Sequence, residues 1–168
     1  MEFAGQSVGV VAMLLMIFSY QCKNSRKLYI MQGAGGFLFA TSFFMLGSSL
    51  SGLINLCNLV RAYFASKKEC RTTKYFLISS ALYLIPLAVN RSSWWSYALV
   101  AVQILSTYAL IKCNGSTLRK IQFVVLSPAW LINNIFFSFS VGGILCEVFV
   151  MMSVVASFIR YKKSGFVD

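Results

Sequence analysis

Seven apolar runs, at 3–20, 28–46, 50–64, 75–89, 94–111, 121–139 and 144–159, fill most of this 168-residue chain and leave only short polar turns between them. A helix needs about 20 residues to cross a hydrocarbon core of about 30 Å, with a working range of ~17–25. Such runs predict an all-α membrane protein of seven transmembrane helices, because a helix satisfies its own backbone polar groups where no water reaches them. Several runs fall at the short end of the range, so tilt or local bilayer thinning must make up the difference. Composition agrees: the chain is 58% hydrophobic and 11% charged, against about 45–50% and about 25% in soluble domains.

The turns between the runs test this segmentation independently. Cytoplasmic loops collect Lys and Arg. Here Lys23, Arg26 and Lys27 follow the first run, Arg61, Lys67, Lys68, Arg71 and Lys74 the third, Lys112, Arg119 and Lys120 the fifth, and Arg160, Lys162 and Lys163 the seventh. The alternate turns carry Arg91 alone, so fourteen of the fifteen cations belong to one side. Removing any one span would put basic loops on both sides. The expected topology is an external N-terminus and a cytoplasmic C-terminus, with the lipid bilayer as the main partner. The net charge of +11 is then explained by four juxtamembrane groups that meet anionic headgroups, and no nucleic-acid partner is implied. Residues ahead of the first run contain Glu2 and no Lys or Arg, so a cleavable signal peptide is not expected.

Chemistry is sparsely equipped. There is no histidine, only four Asp and Glu, and no Cys-x-x-Cys pair, which leaves little for acid–base catalysis or a metal site. We expect no enzyme, no metal and no cofactor. The five cysteines divide between the basic side (Cys22, Cys70, Cys113) and apolar spans (Cys57, Cys146), so no disulfide is expected.

Landmarks recur along the chain. Cys22 and Cys113 are 91 residues apart, as are Gly52 and Gly143, and Arg26–Lys27 precede Arg119–Lys120 by 93. Each half reads as helix, basic loop, helix, tight uncharged turn, helix, basic end. The expected organisation is one integral membrane domain, 1–168, made of a three-helix repeat at 1–68, a linker helix at 69–92 and a second three-helix repeat at 93–168. Because the linker helix inverts the chain, both repeats start on the same side, a parallel 3+1+3 arrangement.

The run QCKNSRK at 21–27, the segment from Gly36 through Gly47 to Leu56, and SPAWLINNI at 127–135 followed by GILCEV at 143–148 resemble the YgjV family of bacterial inner membrane proteins. That resemblance covers nearly the whole chain and implies the bacterial inner membrane as its location. The architecture is also similar to that of SWEET, PQ-loop and PnuC-type transporters. In SWEET-like families an Asn on the third helix of a triplet and a Trp on the second form the solute pocket. The matching positions here are Asn55 or Asn58 and Trp130. The first triplet offers Phe37 or Phe39 in place of a Trp, and the second offers Glu147 near the expected Asn. The Pro-Gln signature is absent, since Tyr20-Gln21 stands there and no proline occurs in the first three runs.

Polar side chains inside spans mark the faces turned away from lipid. Ser48, Ser51, Gly52, Asn55 and Asn58 share one face of the third helix, Gln103, Ser106 and Thr107 one face of the fifth, and Ser127, Trp130, Asn133 and Asn134 an arc of the sixth. Gln32 is a further candidate on the second. Glu147 is the one acid within a run. The expected solute-binding set is Asn55, Asn58, Gln103, Trp130, Asn133, Asn134 and Glu147, taking a small polar solute between the two repeats. Alternatives are a scaffold or assembly partner whose polar stripes only hold helices together, and a proton or ion pathway through Glu147. The pattern leaves a homo-oligomer open without indicating one.

The charge asymmetry makes a direct prediction. A C-terminal alkaline phosphatase fusion, active only outside the cytoplasm, is expected to be silent while a C-terminal green fluorescent protein fusion fluoresces; an active phosphatase overturns the orientation.

Overall fold

A computed structural model describes residues 2–67, 70, 72–90, 93–113, 115–138 and 140–161; Lys68, Arg71, Arg91, Lys162 and Lys163 of the charge pattern lie outside the described residues. The helices are α1 (Glu2–Gln21), α2 (Ser25–Met45), α3 (Ser49–Ser66), α4 (Thr73–Leu82), α5 (Leu84–Val89), α6 (Trp94–Lys112), α7 (Gly115–Ile121), α8 (Ser127–Phe136) and α9 (Val141–Tyr161). A π-helical stretch, Gln122–Leu126, makes α7 and α8 one rod, and α4 and α5 form another that breaks only at Tyr83. The described residues thus build seven rods, close to the seven apolar runs. Four of them, α1, α2, α6 and α9, are by length and apolarity sufficient to cross a membrane. In α3, Asn55, Asn58 and Arg61 dilute the apolar signal, and the α4–α5 rod is short.

Local chemistry accounts for the breaks. Asn24 caps α2, its Oδ1 accepting from the backbone N–H of Arg26 at 2.8 Å and of Lys27 at 3.3 Å. The α2–α3 turn closes with Gly47 at φ 79°, while Gly47 N–H donates to Phe44 O and Ser48 N–H to Phe43 O. This pair of bonds is the glycine-dependent helix terminus in which a left-handed residue satisfies two orphan carbonyls. Pro86 removes one backbone donor, and the Leu82 carbonyl it frees accepts instead from the Cys57 thiol at 3.4 Å. Pro128 stands one residue beyond the π-helical stretch, whose wider turn lets Ser127 N–H reach back to Gln122 O.

Packing arranges six rods in a ring. α1 packs on α2, α2 on α3, α3 on α6, α6 on the α7–α8 rod, α8 on α9, and α9 on α1. The α4–α5 rod lies outside, against α3 and α6. Small residues set the approach of α2 to its neighbours: a Cβ on Gly36 would stand 3.5 Å from Asn55 O and one on Gly33 3.4 Å from Ala62, both on α3, whereas one on Gly35 would stand 3.1 Å from Met16 on α1. The α1–α9 seam is held by Ser153 Oγ donating to Ile17 O at 3.0 Å and Gln21 Nε2 donating to Ser153 Oγ at 2.6 Å. At the serine-rich end, opposite the basic loops, α3 and the α8–α9 turn are joined by a Ser51–Ser138 hydroxyl bond of 2.9 Å.

Two glycines meet bulky neighbours with different freedom to move. A Cβ on Gly52 would come within 2.7 Å of the Phe44 ring, and one on Gly143 within 2.6 Å of the Asn134 amide. Phe44 is exposed and can swing toward lipid, while Asn134 is buried. Gly143→Ala is therefore expected to destabilise by about 1–3 kcal/mol and Gly52→Ala by clearly less, read as thermal unfolding in detergent; equal losses would contradict this packing.

Candidate functional site

The ring encloses a cavity of about 60 Å³ to which all six rods contribute. By the ~10–15 Å³ that one water needs, this is room for a handful of water-sized groups. Met16 and Tyr20 come from α1, Gln32, Gly36, Phe39 and Phe43 from α2, and Asn55, Asn58, Arg61 and Ala62 from α3. Gln103, Ser106 and Leu110 of α6, Gln122, Trp130 and Asn134 of the α7–α8 rod, and Gly143, Cys146 and Glu147 of α9 complete most of the wall. Six of the seven residues singled out by sequence, Asn55, Asn58, Gln103, Trp130, Asn134 and Glu147, are brought together here, with Gln32. Of the two phenylalanines offered in place of a Trp, Phe39 lines the cavity and Phe37 is exposed.

Asn133 departs from this set. Its Oδ1 accepts from Trp95 Nε1 at 3.3 Å, and its Nδ2 donates to Ser51 Oγ and Ser138 Oγ, each at 3.1 Å. Neighbouring positions on a helix point about 100° apart, so Asn134 faces the cavity and Asn133 the serine cluster. Ser48 joins that cluster through bonds of 3.1 Å to Ser51 and Ser138. A surface cleft lined by Gln6, Gly47, Ser48, Phe137 and Ser138 lies at this end, so the cluster stands where that cleft meets α3 and α8. Below it Phe43 and Trp130 stack at 6.1 Å across the ring.

The polar groups of the cavity are unevenly satisfied. Asn58 Oδ1 accepts from Tyr83 OH at 2.6 Å, Asn55 Nδ2 donates to Ser51 O at 2.9 Å, and Gln122 Nε2 to Ser127 Oγ at 3.0 Å. By contrast Gln103, 0% exposed, finds no partner among the described residues for either amide atom. Tyr20 OH, Arg61 Nε, Asn134 Oδ1 and Glu147 Oε2 are likewise buried and unpartnered. Buried polar atoms are almost always paired, and these five side chains all border the same space.

Sequence reasoning missed Tyr20, Phe43 and Gln122 and read two arginines differently. Arg61 and Arg119 were counted with the headgroup-facing cations, yet both are buried: Arg61 Nη1 donates to Ser106 Oγ at 2.6 Å, and Arg119 Nη2 to Cys22 O at 3.0 Å. A signal for Arg61 was present, since it follows Asn58 by three residues on the same helix face.

Residues 3–165 match the Imp-YgjV family, described as bacterial inner membrane protein. The chain belongs to this family. It is 26% identical over 166 residues to the inner membrane protein YgjV of Escherichia coli (strain K12), an alignment covering 95% of this chain and 87% of that relative. No solved structure matches it. Membership in the Imp-YgjV family makes the seven rods a multi-pass structure of the bacterial inner membrane, with the exposed apolar side chains of their outer face turned to lipid.

The two kinds of polar residue should respond oppositely to truncation of their polarity. Asn133→Ala leaves Trp95 Nε1 without its acceptor and is expected to cost about 1–3 kcal/mol, whereas Gln103→Leu removes two unpaired atoms at similar volume and is expected to be neutral or stabilising. Thermal unfolding of the two purified variants checks this, and a large loss for Gln103→Leu would show that its amide is structural.

Proposed function

We propose that this protein binds a small polar solute in the central cavity and moves it across the inner membrane, without chemistry on it. The observation that carries this reading is the convergence of unpartnered polar atoms from α1, α3, α6, α8 and α9 on one space. A scaffold needs its polar stripes consumed in helix–helix bonds, as Asn133 is. Binding sites instead keep a few directed polar groups beside aromatic surface, here Phe39, Phe43 and Trp130.

The proposed organisation is two parallel three-helix repeats, 1–68 and 93–168, with 69–92 as the linker, the basic ends cytoplasmic. The ring supports it. If α1, α2 and α3 correspond to α6, the α7–α8 rod and α9, the α1–α9 contact maps onto the α6–α3 contact, and the second rod is the middle one in each triplet. Phe39 and Trp130, 91 residues apart, then occupy equivalent places on the cavity wall. A site between two such halves is suited to alternating exposure by rocking. The cleft at the serine-rich end supplies an approach, and the hydroxyl cluster supplies a seal of bonds worth only about 0.5–1.5 kcal/mol each.

Proteoliposomes incubated with a ¹³C-labelled extract of small polar metabolites provide the test. Vesicles with the wild-type chain are expected to retain at least one labelled solute that protein-free vesicles and Gln103→Leu vesicles do not. Identical contents in all three overturn the transport reading.

A further inference from the structure

The charge pattern of the cavity wall narrows the class of solute. Arg61 is buried on α3, tied to Ser106 by one Nη, and its Nε has no partner among the described residues. A guanidinium inside a span is costly and is kept where it meets an anion. Glu147 lies on α9, which occupies the place opposite α3 in the six-rod ring, with two rods between them either way round. Both helices start at the end joined by the Ser51–Ser138 bond. At 1.5 Å per residue, Glu147 lies about 9 Å and Arg61 about 18 Å along them. The two ionisable groups are thus carried on opposite rods at different depths, and Tyr20 borders the same cavity. Gln103, with its whole amide unpartnered, borders the space they share.

A neutral solute would leave the Arg61 guanidinium without a counter-charge. A plain anion would suit Arg61 and leave the Glu147 carboxyl unused, and a plain cation would draw on that carboxyl and oppose Arg61. We propose that the cavity takes a small zwitterion, its anionic group on Arg61 and its cationic group on Glu147, with Gln103 bonding the segment between. The space fits a solute no larger than a small amino acid, since it holds about four to six water-sized groups on the ~10–15 Å³ scale. This assignment rests on the reading of the cavity as a solute site.

Thermal unfolding of the full-length protein in detergent tests it with five probes: alanine and 4-aminobutyrate as zwitterions of short and long charge separation, lactate as an anion, ethanolamine as a cation, and glycerol as a neutral molecule. A probe that binds the folded state raises Tm. At least one zwitterion is expected to raise Tm where the other three classes do not. Glu147→Gln is expected to lose that response and gain one to lactate, and Arg61→Gln to lose it and gain one to ethanolamine. If Arg61→Gln does not fold, the wild-type panel and Glu147→Gln decide alone. Lactate or ethanolamine matching the zwitterions, or an unchanged response in Glu147→Gln, overturns the assignment. A response to glycerol alone overturns the charge assignment and leaves the solute site standing. Silence to all five from a protein that still unfolds cooperatively overturns the zwitterion, while retention of a labelled solute by vesicles separately decides whether a solute is moved.

Discussion

Hydrocarbon offers no hydrogen bonds, and every other feature of this structure follows from that. Helices absorb the backbone requirement, and the side chains that still need partners must turn inward. The outcome is inverted relative to a soluble protein. Phe18, Leu77, Val89, Met152 and Ile159 are largely exposed on the outside, whereas Gln103, Ser106, Thr107, Asn133 and Arg119 are buried. In water such an apolar surface would aggregate; in lipid it is the matched surface, and the interior is where polarity can be afforded.

An interior of polar side chains cannot draw helices together by the hydrophobic effect, because lipid is as apolar as leucine. Close packing replaces it. Gly33, Gly35 and Gly36 turn to both neighbours of α2, so that helix sits as a thin wedge between α1 and α3. Ser42 Oγ reaches Gly5 O at 2.7 Å beside Gly9. Toward the middle of the ring the larger side chains of Asn55, Asn58 and Gln103 border the cavity instead, while the α2 and α3 backbones still meet at Gly36. The same chain therefore writes seam and cavity with one variable, side-chain size along a helix face.

Much of this was legible in the sequence. Apolar runs gave the seven rods because a span is a length requirement, and the polar stripes gave the inward faces because a helix repeats every 3.6 residues. What was not legible depends on what lies across from a residue. Asn133 and Asn134 are adjacent and chemically identical, yet only the serines opposite Asn133 decide that it is structural. Arg61 and Arg119 stand near span ends, where cations ordinarily report topology, and only the packed ring reveals that their guanidinium groups point inward. Tyr20 is silent for a similar reason: an aromatic at a span end is as compatible with lipid contact as with a core. The run at 121–139 read as one uninterrupted span, and the π-helical stretch at Gln122–Leu126 left no mark in it.

The two ends of the cavity are closed by different physics. At the serine-rich end the seal is a set of hydroxyl and amide bonds among Ser48, Ser51, Ser138 and Asn133. Water can replace each of these, so opening there exchanges like for like. At the basic end Tyr20, Leu28, Tyr29, Leu110 and Leu118 are almost completely buried, and Arg119 ties α7 to the end of α1 through Cys22 O. Opening that end exposes apolar surface, at about 25 cal/mol per Å², and strips a guanidinium from its carbonyl. Closure at the basic end is therefore the more costly of the two to undo.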